Sequence, residues 1–256
     1  MKKLLLFRYI AAAVAAVPSM AHGSVASPVT DSAPALYARG VELMEKEEGA
    51  AAYAYFRAAA EKDYAAAQYK LGVCYDIGCG VAPDYATAAA WYRKAAEQGY
   101  ADAQFNLACC YELGQGVEQS ISQAVYWYRR AAQQGDAQAQ FNLADCYYMG
   151  HGVEQSALIA LGWFSQAAEQ GHVDAQVNLG IYYAVSRSGS YAEKGAVFWL
   201  RKAANQGDEE AARMIYTHFE PIPYIPTVRF RHFVADSLHA LHAILSDSAC
   251  SAPLLH

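Results

Sequence analysis

A spacing of 36 residues is imposed on most of this chain. Gln68, Gln104, Gln140 and Gln176 fall in one column of it, and Leu71, Leu107, Leu143 and Leu179 in another. Tyr75, Tyr111, Tyr147 and Tyr183 form a third, and Trp91, Trp127, Trp163 and Trp199 a fourth. Gly99, Gly135, Gly171 and Gly207 close each copy. A recurrence of this length means stacked supersecondary units, each unable to bury its apolar face alone. A chain of 256 residues built this way grows by adding units rather than by enlarging one core.

One copy, 101–135, reads as two helices. Ala103, Phe105, Leu107 and Tyr111 recur at helical spacing. Gly114 and Gly116 then interrupt the pattern where a positive φ or a close backbone approach is required. Ser120 stands where a second helix starts, and its column holds Asp84 and Ser156, all side chains that accept bonds from a helix's first N–H groups. Ala124, Trp127, Tyr128, Ala131 and Ala132 continue the apolar face to Gly135, placed just past the helix end. Alanines let helix axes approach closely, and the aromatic rings fill the space opposite.

The pattern A-x-A-Q-[FY]-N-L-[AG]-x-x-Y-x-x-G-x-G-V, followed by W-[YF]-x-x-A-A-x-Q-G, resembles the Sel1-like repeat. The GxGV loop separates it from the tetratricopeptide repeat. The resemblance implies an all-α fold, a right-handed α-solenoid of stacked antiparallel helix pairs, and a surface for binding other proteins or peptides. It names no partner, because such solenoids serve many.

Four segments follow from this register. Residues 1–21 read as a secretory signal: Lys2 and Lys3, an apolar run over 4–17 interrupted by Arg8, and small residues at Ser19 and Ala21. That run is too short for a stable transmembrane anchor, which needs about 20 apolar residues. The expected location is therefore the periplasm or outside the cell. Residues 22–34 form a small, polar linker. Residues 35–219 hold the repeats: a degraded first unit with Asp63 in place of the closing glycine, about four full copies and a partial last helix. In the fourth full copy Ser186 and Ser188 replace the loop glycines, and Gly189 falls one residue late. Residues 220–256 open with Pro221, Pro223 and Pro226 and then allow a helix over 230–245, read as a cap on the last repeat.

Charge and motifs exclude several functions. The net charge is −6, and loss of the signal leaves 16 basic against 25 acidic residues, or −9. No basic patch with interleaved aromatics points to nucleic acid. HExxH, GxSxG, P-loop and dinucleotide fingerprints are absent, and no Ser precedes a Lys by three residues. Neither an enzyme nor a cofactor is expected. Cys74, Cys110 and Cys146 share a column, so they read as buried small hydrophobes one repeat apart, too distant to pair. A Cys79–Cys109 pair is conceivable. Some members of the resembled family join cysteines across each helix pair, but that spacing is absent here. His232, Asp236, His239 and His242 have a spacing that could hold Zn²⁺, though a solvated helix face explains them equally. A secreted hydrolase built on them is the least favoured function.

The first-helix surface remains. Three rows run along it: Lys70, Asn106, Asn142, Asn178; then Val73, Cys109, Asp145, Ile181; then Asp76, Glu112, Tyr148, Ala184. The second and third rows do not repeat, so packing is not expected to dictate them. In related solenoids first helices line the concave side, where asparagine amides can pair with a peptide backbone; the alternative is that they bond neighbouring helices. The candidate partner-binding residues are Asn106, Cys109, Glu112, Asn142, Asp145, Tyr148 and Asn178, with Glu112 and Tyr148 foremost. The expected function is a non-catalytic scaffold for a protein or peptide, with a peptidoglycan or polysaccharide binder as the alternative.

Overall fold

Each pair of sequence columns becomes a pair of helices. The structure, a computed structural model, describes residues 31–185 and 189–219. The expectations placed on 1–30, on Ser186 and Ser188, and on the tail with its prolines and histidines lie outside the described residues. Among the described residues the structure is all-α, with eleven helices and no strand. In order they are α1 (Ala33–Glu45), α2 (Gly49–Ala60), α3 (Ala65–Ile77), α4 (Tyr85–Glu97), α5 (Ala101–Leu113), α6 (Ile121–Gln133), α7 (Ala137–Met149), α8 (Ala157–Glu169), α9 (Val173–Val185), α10 (Gly189–Asn205) and α11 (Glu209–His218). The helices divide into two compact units, 1–130 and 131–256. In the first, α1 packs on α2, α2 on α3, α3 on α4 and α4 on α5. In the second, α7 to α11 pack successively in the same way.

The loop glycines stop the first helix of each pair. Gly78, Gly114 and Gly150 sit in the left-handed region at the helix ends, and their N–H groups bond the carbonyls of Cys74, Cys110 and Cys146. The chain then folds back: Asp84, Ser120 and Ser156 N–H groups bond the carbonyls of Tyr75, Tyr111 and Tyr147 at 2.8–2.9 Å. The same three side chains start the second helices. Asp84 Oδ1 accepts from Ala86 N and Thr87 N, Ser120 Oγ from Gln123 N and Ser156 Oγ from Ile159 N. The capping column read from the sequence therefore performs that role.

Alanine makes the interior. Ala88, Ala89, Ala95, Ala96, Ala103 and Ala108 in the first unit are buried, as are Ala139, Ala144, Ala160, Ala167, Ala168 and Ala175 in the second. Small side chains bring helix axes together, and Tyr92, Tyr128, Phe164 and the leucine column fill the wider gaps. Cys74, Cys110 and Cys146 are buried as expected. Cys79 and Cys109 do not pair; none of the five described cysteines forms a disulfide.

The glutamine column carries the largest buried polar groups. Gln68, Gln104, Gln140 and Gln176 are only 1–3% exposed. Gln104 Nε2 donates to the Ala96 carbonyl at 3.0 Å, Gln140 to Ala132 at 3.1 Å and Gln176 to Ala168 at 3.0 Å. Each of these carbonyls lies in the last turn of the preceding second helix, where its other bond comes from the closing glycine, Gly99, Gly135 or Gly171. The amide oxygen is used as well: Gln98, Gln170 and Gln206 donate to Gln68, Gln140 and Gln176 at 2.8–2.9 Å. One buried amide thus ties the ends of two successive second helices to the first helix between them. In the degraded first unit Asp63, at φ +61, replaces the closing glycine, and its carboxylate accepts from Gln68 and Gln98.

Two glycines separate conformational need from lack of space. A Cβ at Gly116 (φ +70) would collide with the Tyr85 carbonyl, whereas a Cβ at Gly99 (φ +93) would meet nothing within 4 Å. Gly99→Ala is expected to cost about 1–2 kcal/mol, the penalty of the left-handed backbone alone. Gly116→Ala should cost at least twice as much, because the loop must also leave the start of α4. Denaturant unfolding of the two variants checks this ordering.

Candidate functional site

The three first-helix rows meet different second helices, and those helices decide which residues are available. In the first unit α4 and α6 carry tyrosines at Tyr92 and Tyr128, both buried. The Tyr92 hydroxyl donates to Asp76 Oδ2 at 3.2 Å, and the Tyr128 hydroxyl to Glu112 Oε2 at 2.6 Å. Both acids of the third row therefore have an internal partner, although Asp76 is half-buried and Glu112 exposed. Packing engages their carboxylates because a buried hydroxyl needs a partner. The signal was in the sequence at an offset of 16: Asp76 with Tyr92 and Glu112 with Tyr128, against Tyr148 with Phe164 and Ala184 with Leu200.

The other first-unit candidates also turn inward. Cys109 is 9% exposed and its Sγ lies 3.4 Å from the Tyr128 hydroxyl, so it packs within the repeat and is not presented to a partner. The Asn106 side chain lies beside the Tyr69 and Tyr92 hydroxyls. That is the intra-stack role considered for the asparagine row. Lys70 lies beside the Tyr69 ring, with Nζ 5.6 Å from the ring centroid.

The second unit differs at one atom position. Phe164 replaces the tyrosine and brings no hydroxyl, and Tyr148 on α7 is 50% exposed. Only its main-chain carbonyl is engaged, by Gln155 Nε2 at 2.7 Å, which fixes the loop beside it. Asn142 and Asp145, at offsets of three on the same helix, are half-buried, as is Asn178 on α9. The Asn142 Oδ1 accepts from Gln138 Nε2 at 3.3 Å, leaving its own amide hydrogens directed elsewhere. Tyr182 and Tyr183 on α9 are exposed and meet edge to face at 5.9 Å.

One recurring feature escaped the column reading. Trp91, Trp127 and Trp199 each carry a cation three residues on, and Lys94, Arg130 and Lys202 lie 3.9, 5.3 and 4.9 Å from the respective rings. The signal is W-x-x-[KR], broken at Trp163 by Gln166. Among the described residues no three His, Cys, Asp or Glu side chains converge as a metal site, and no helix is long and apolar enough to cross a membrane.

Burial raises the Asp76 carboxyl above its usual value, the hydrogen bond from Tyr92 offsetting part of the shift. A carboxyl raised in the fold holds its proton more tightly than the unfolded chain does. The stability it contributes is present below the unfolded value of 3.8 and is lost as pH rises through the folded one. Asp76→Asn keeps an acceptor for Tyr92 without the buried charge. It should raise the melting temperature at neutral pH, a gain within about 1 kcal/mol, and the gain should vanish at acid pH.

The sequence matches the Sel1 repeat five times, over residues 33–64, 65–100, 101–136, 137–172 and 173–208. No curated protein matches it. Among solved structures, a Sel1 repeat protein from Oxalobacter formigenes is 31% identical with a TM-score of 0.67, over 83% of this chain and 82% of that one. The protective antigen c5321 of uropathogenic Escherichia coli, which displays an SLR fold, is 30% identical with a TM-score of 0.46, over 85% of this chain and 53% of that one. YrrB, a TPR protein with an unusual peptide-binding site, is 25% identical with a TM-score of 0.44, over 70% and 88%. Sel1 repeats generally act as non-catalytic scaffolds for protein interaction. This chain belongs to the Sel1 repeat family.

Proposed function

We propose that this protein is an exported, non-catalytic scaffold that binds an extended segment of another protein on the first-helix face of its second unit. The observation that carries the reading is the exposure of Tyr148 where Phe164 stands in for the tyrosine of the earlier repeats. In the first unit the corresponding acids are consumed by internal hydroxyls. In the second, α7 carries Asn142, Asp145 and the exposed ring of Tyr148 along one helix. An amide can pair with a peptide bond in both directions, and a rigid ring provides contact area at low entropic cost. Asp145 and the negative net charge favour a neutral or basic partner. Recognition is by a preformed surface, and no bond is made or broken. Export rests on Lys2, Lys3 and the apolar run that follows.

The test uses a partner captured from a cross-linked envelope extract of the host, identified, purified and titrated against the parent chain and an Asn142→Ala, Tyr148→Ala variant. The variant is expected to bind at least about tenfold more weakly, a loss of about 1.4 kcal/mol, with its helical content intact. Unchanged affinity would move the site off α7. Capture of wall glycan with no protein would replace the reading by a polysaccharide binder. Mass measurement of the chain from the host should find it starting near His22.

A further inference from the structure

Three sulfur atoms converge in the first unit. Met44 stands near the end of α1, Cys74 in the last turn of α3 and Cys79 in the loop after it. The Cys79 thiol donates to Met44 Sδ at 3.5 Å, and the Cys74 thiol lies close to that of Cys79. All three line one cavity of about 260 Å³, together with Phe56, Lys70 and Glu45. Gly49 keeps the space open, because a Cβ there would sit 2.8 Å from Cys79 Sγ.

Repeat packing requires only one of the three. Cys74 belongs to the column of Cys110 and Cys146, but Cys79 occupies a loop position held by Gln115 and His151 in later copies. Met44 takes in α1 the place that Asp76 takes in α3, twelfth in a helix of thirteen. The loop thiol and the thioether are thus particular to this end of the chain.

We propose that Met44, Cys74 and Cys79 form a binding site for a soft monovalent metal ion, Cu(I). Thiolate and thioether sulfur select this ion over harder cations, and it accepts three-coordinate geometry. With metal–sulfur bonds of about 2.3 Å, trigonal ligand atoms lie roughly 4 Å apart, so Met44 Sδ and Cys79 Sγ need to separate only slightly. Each thiol releases one proton to solvent as it binds, Met44 donates a lone pair, and the metal keeps its oxidation state. The resulting site carries one net negative charge, in a cavity whose lining includes both Lys70 and Glu45. Because binding displaces protons from thiols, affinity rises with pH.

Under anaerobic conditions the full chain is titrated with Cu(I) buffered by bicinchoninate, and the thiolate-to-metal charge-transfer absorption is followed. One equivalent per chain is expected. Cys79→Ser, a change in a loop, should abolish the absorption with helical content retained, and Met44→Leu should weaken binding by at least about tenfold. Failure of the parent chain to withdraw Cu(I) from the chelator overturns the proposal. So does binding that survives Cys79→Ser, whether it then depends on Cys109, Cys110 or Cys250.

Discussion

The stack depends on a buried primary amide. A helix's last carbonyls have no partner four residues on, and at Ala96, Ala132 and Ala168 the N–H of the closing glycine supplies one bond. Gln104, Gln140 and Gln176 supply a second from the following first helix. The oxygens of Gln140 and Gln176 accept from Gln170 and Gln206 at the end of the next second helix. No buried side-chain polar atom among the described residues lacks a partner. A residue with only a donor or only an acceptor would leave one end of this connection open, which is why an amide holds the column. Around it, alanine sets the spacing and the loop glycines set the turn.

That arrangement determines where function can reside. A position serving the stack in every copy cannot vary, so binding chemistry has to occupy positions that the stack releases. Tyr92 and Tyr128 bring hydroxyls into the first unit and thereby recruit Asp76 and Glu112. Phe164 removes that demand, and Tyr148 is exposed. One oxygen atom on a second helix decides whether the facing position on the first helix has an internal partner.

The helices, their caps and their glycine stops were legible in the sequence because each is a local event with a residue-type signature. Asp84, Ser120 and Ser156 cap, and Gly78, Gly114 and Gly150 terminate, where the columns placed them. The glutamine column was visible, but its role was not, since its partners are main-chain carbonyls that any residue supplies. The candidate site was less legible. Cys109 and Glu112 varied between copies and so read as free of packing, yet both answer Tyr128. Variation between copies marks freedom from packing only when the facing position is constant. Here Tyr92, Tyr128, Phe164 and Leu200 vary in step with the row they face.

The most direct measurement is native-state hydrogen exchange on Gln140→Met, which keeps the side chain's length and removes both amide functions. The variant removes the bonds to the Ala132 carbonyl, which keeps the Gly135 N–H, and from Gln170, a penalty of about 1–3 kcal/mol. Protection of the α7 and α8 amides should fall by that amount, while α3 and α4 keep theirs, as expected for a stack held by nearest-neighbour contacts. Protection equal to the parent's throughout would contradict the account, and the alanine interface alone would then hold the repeats together.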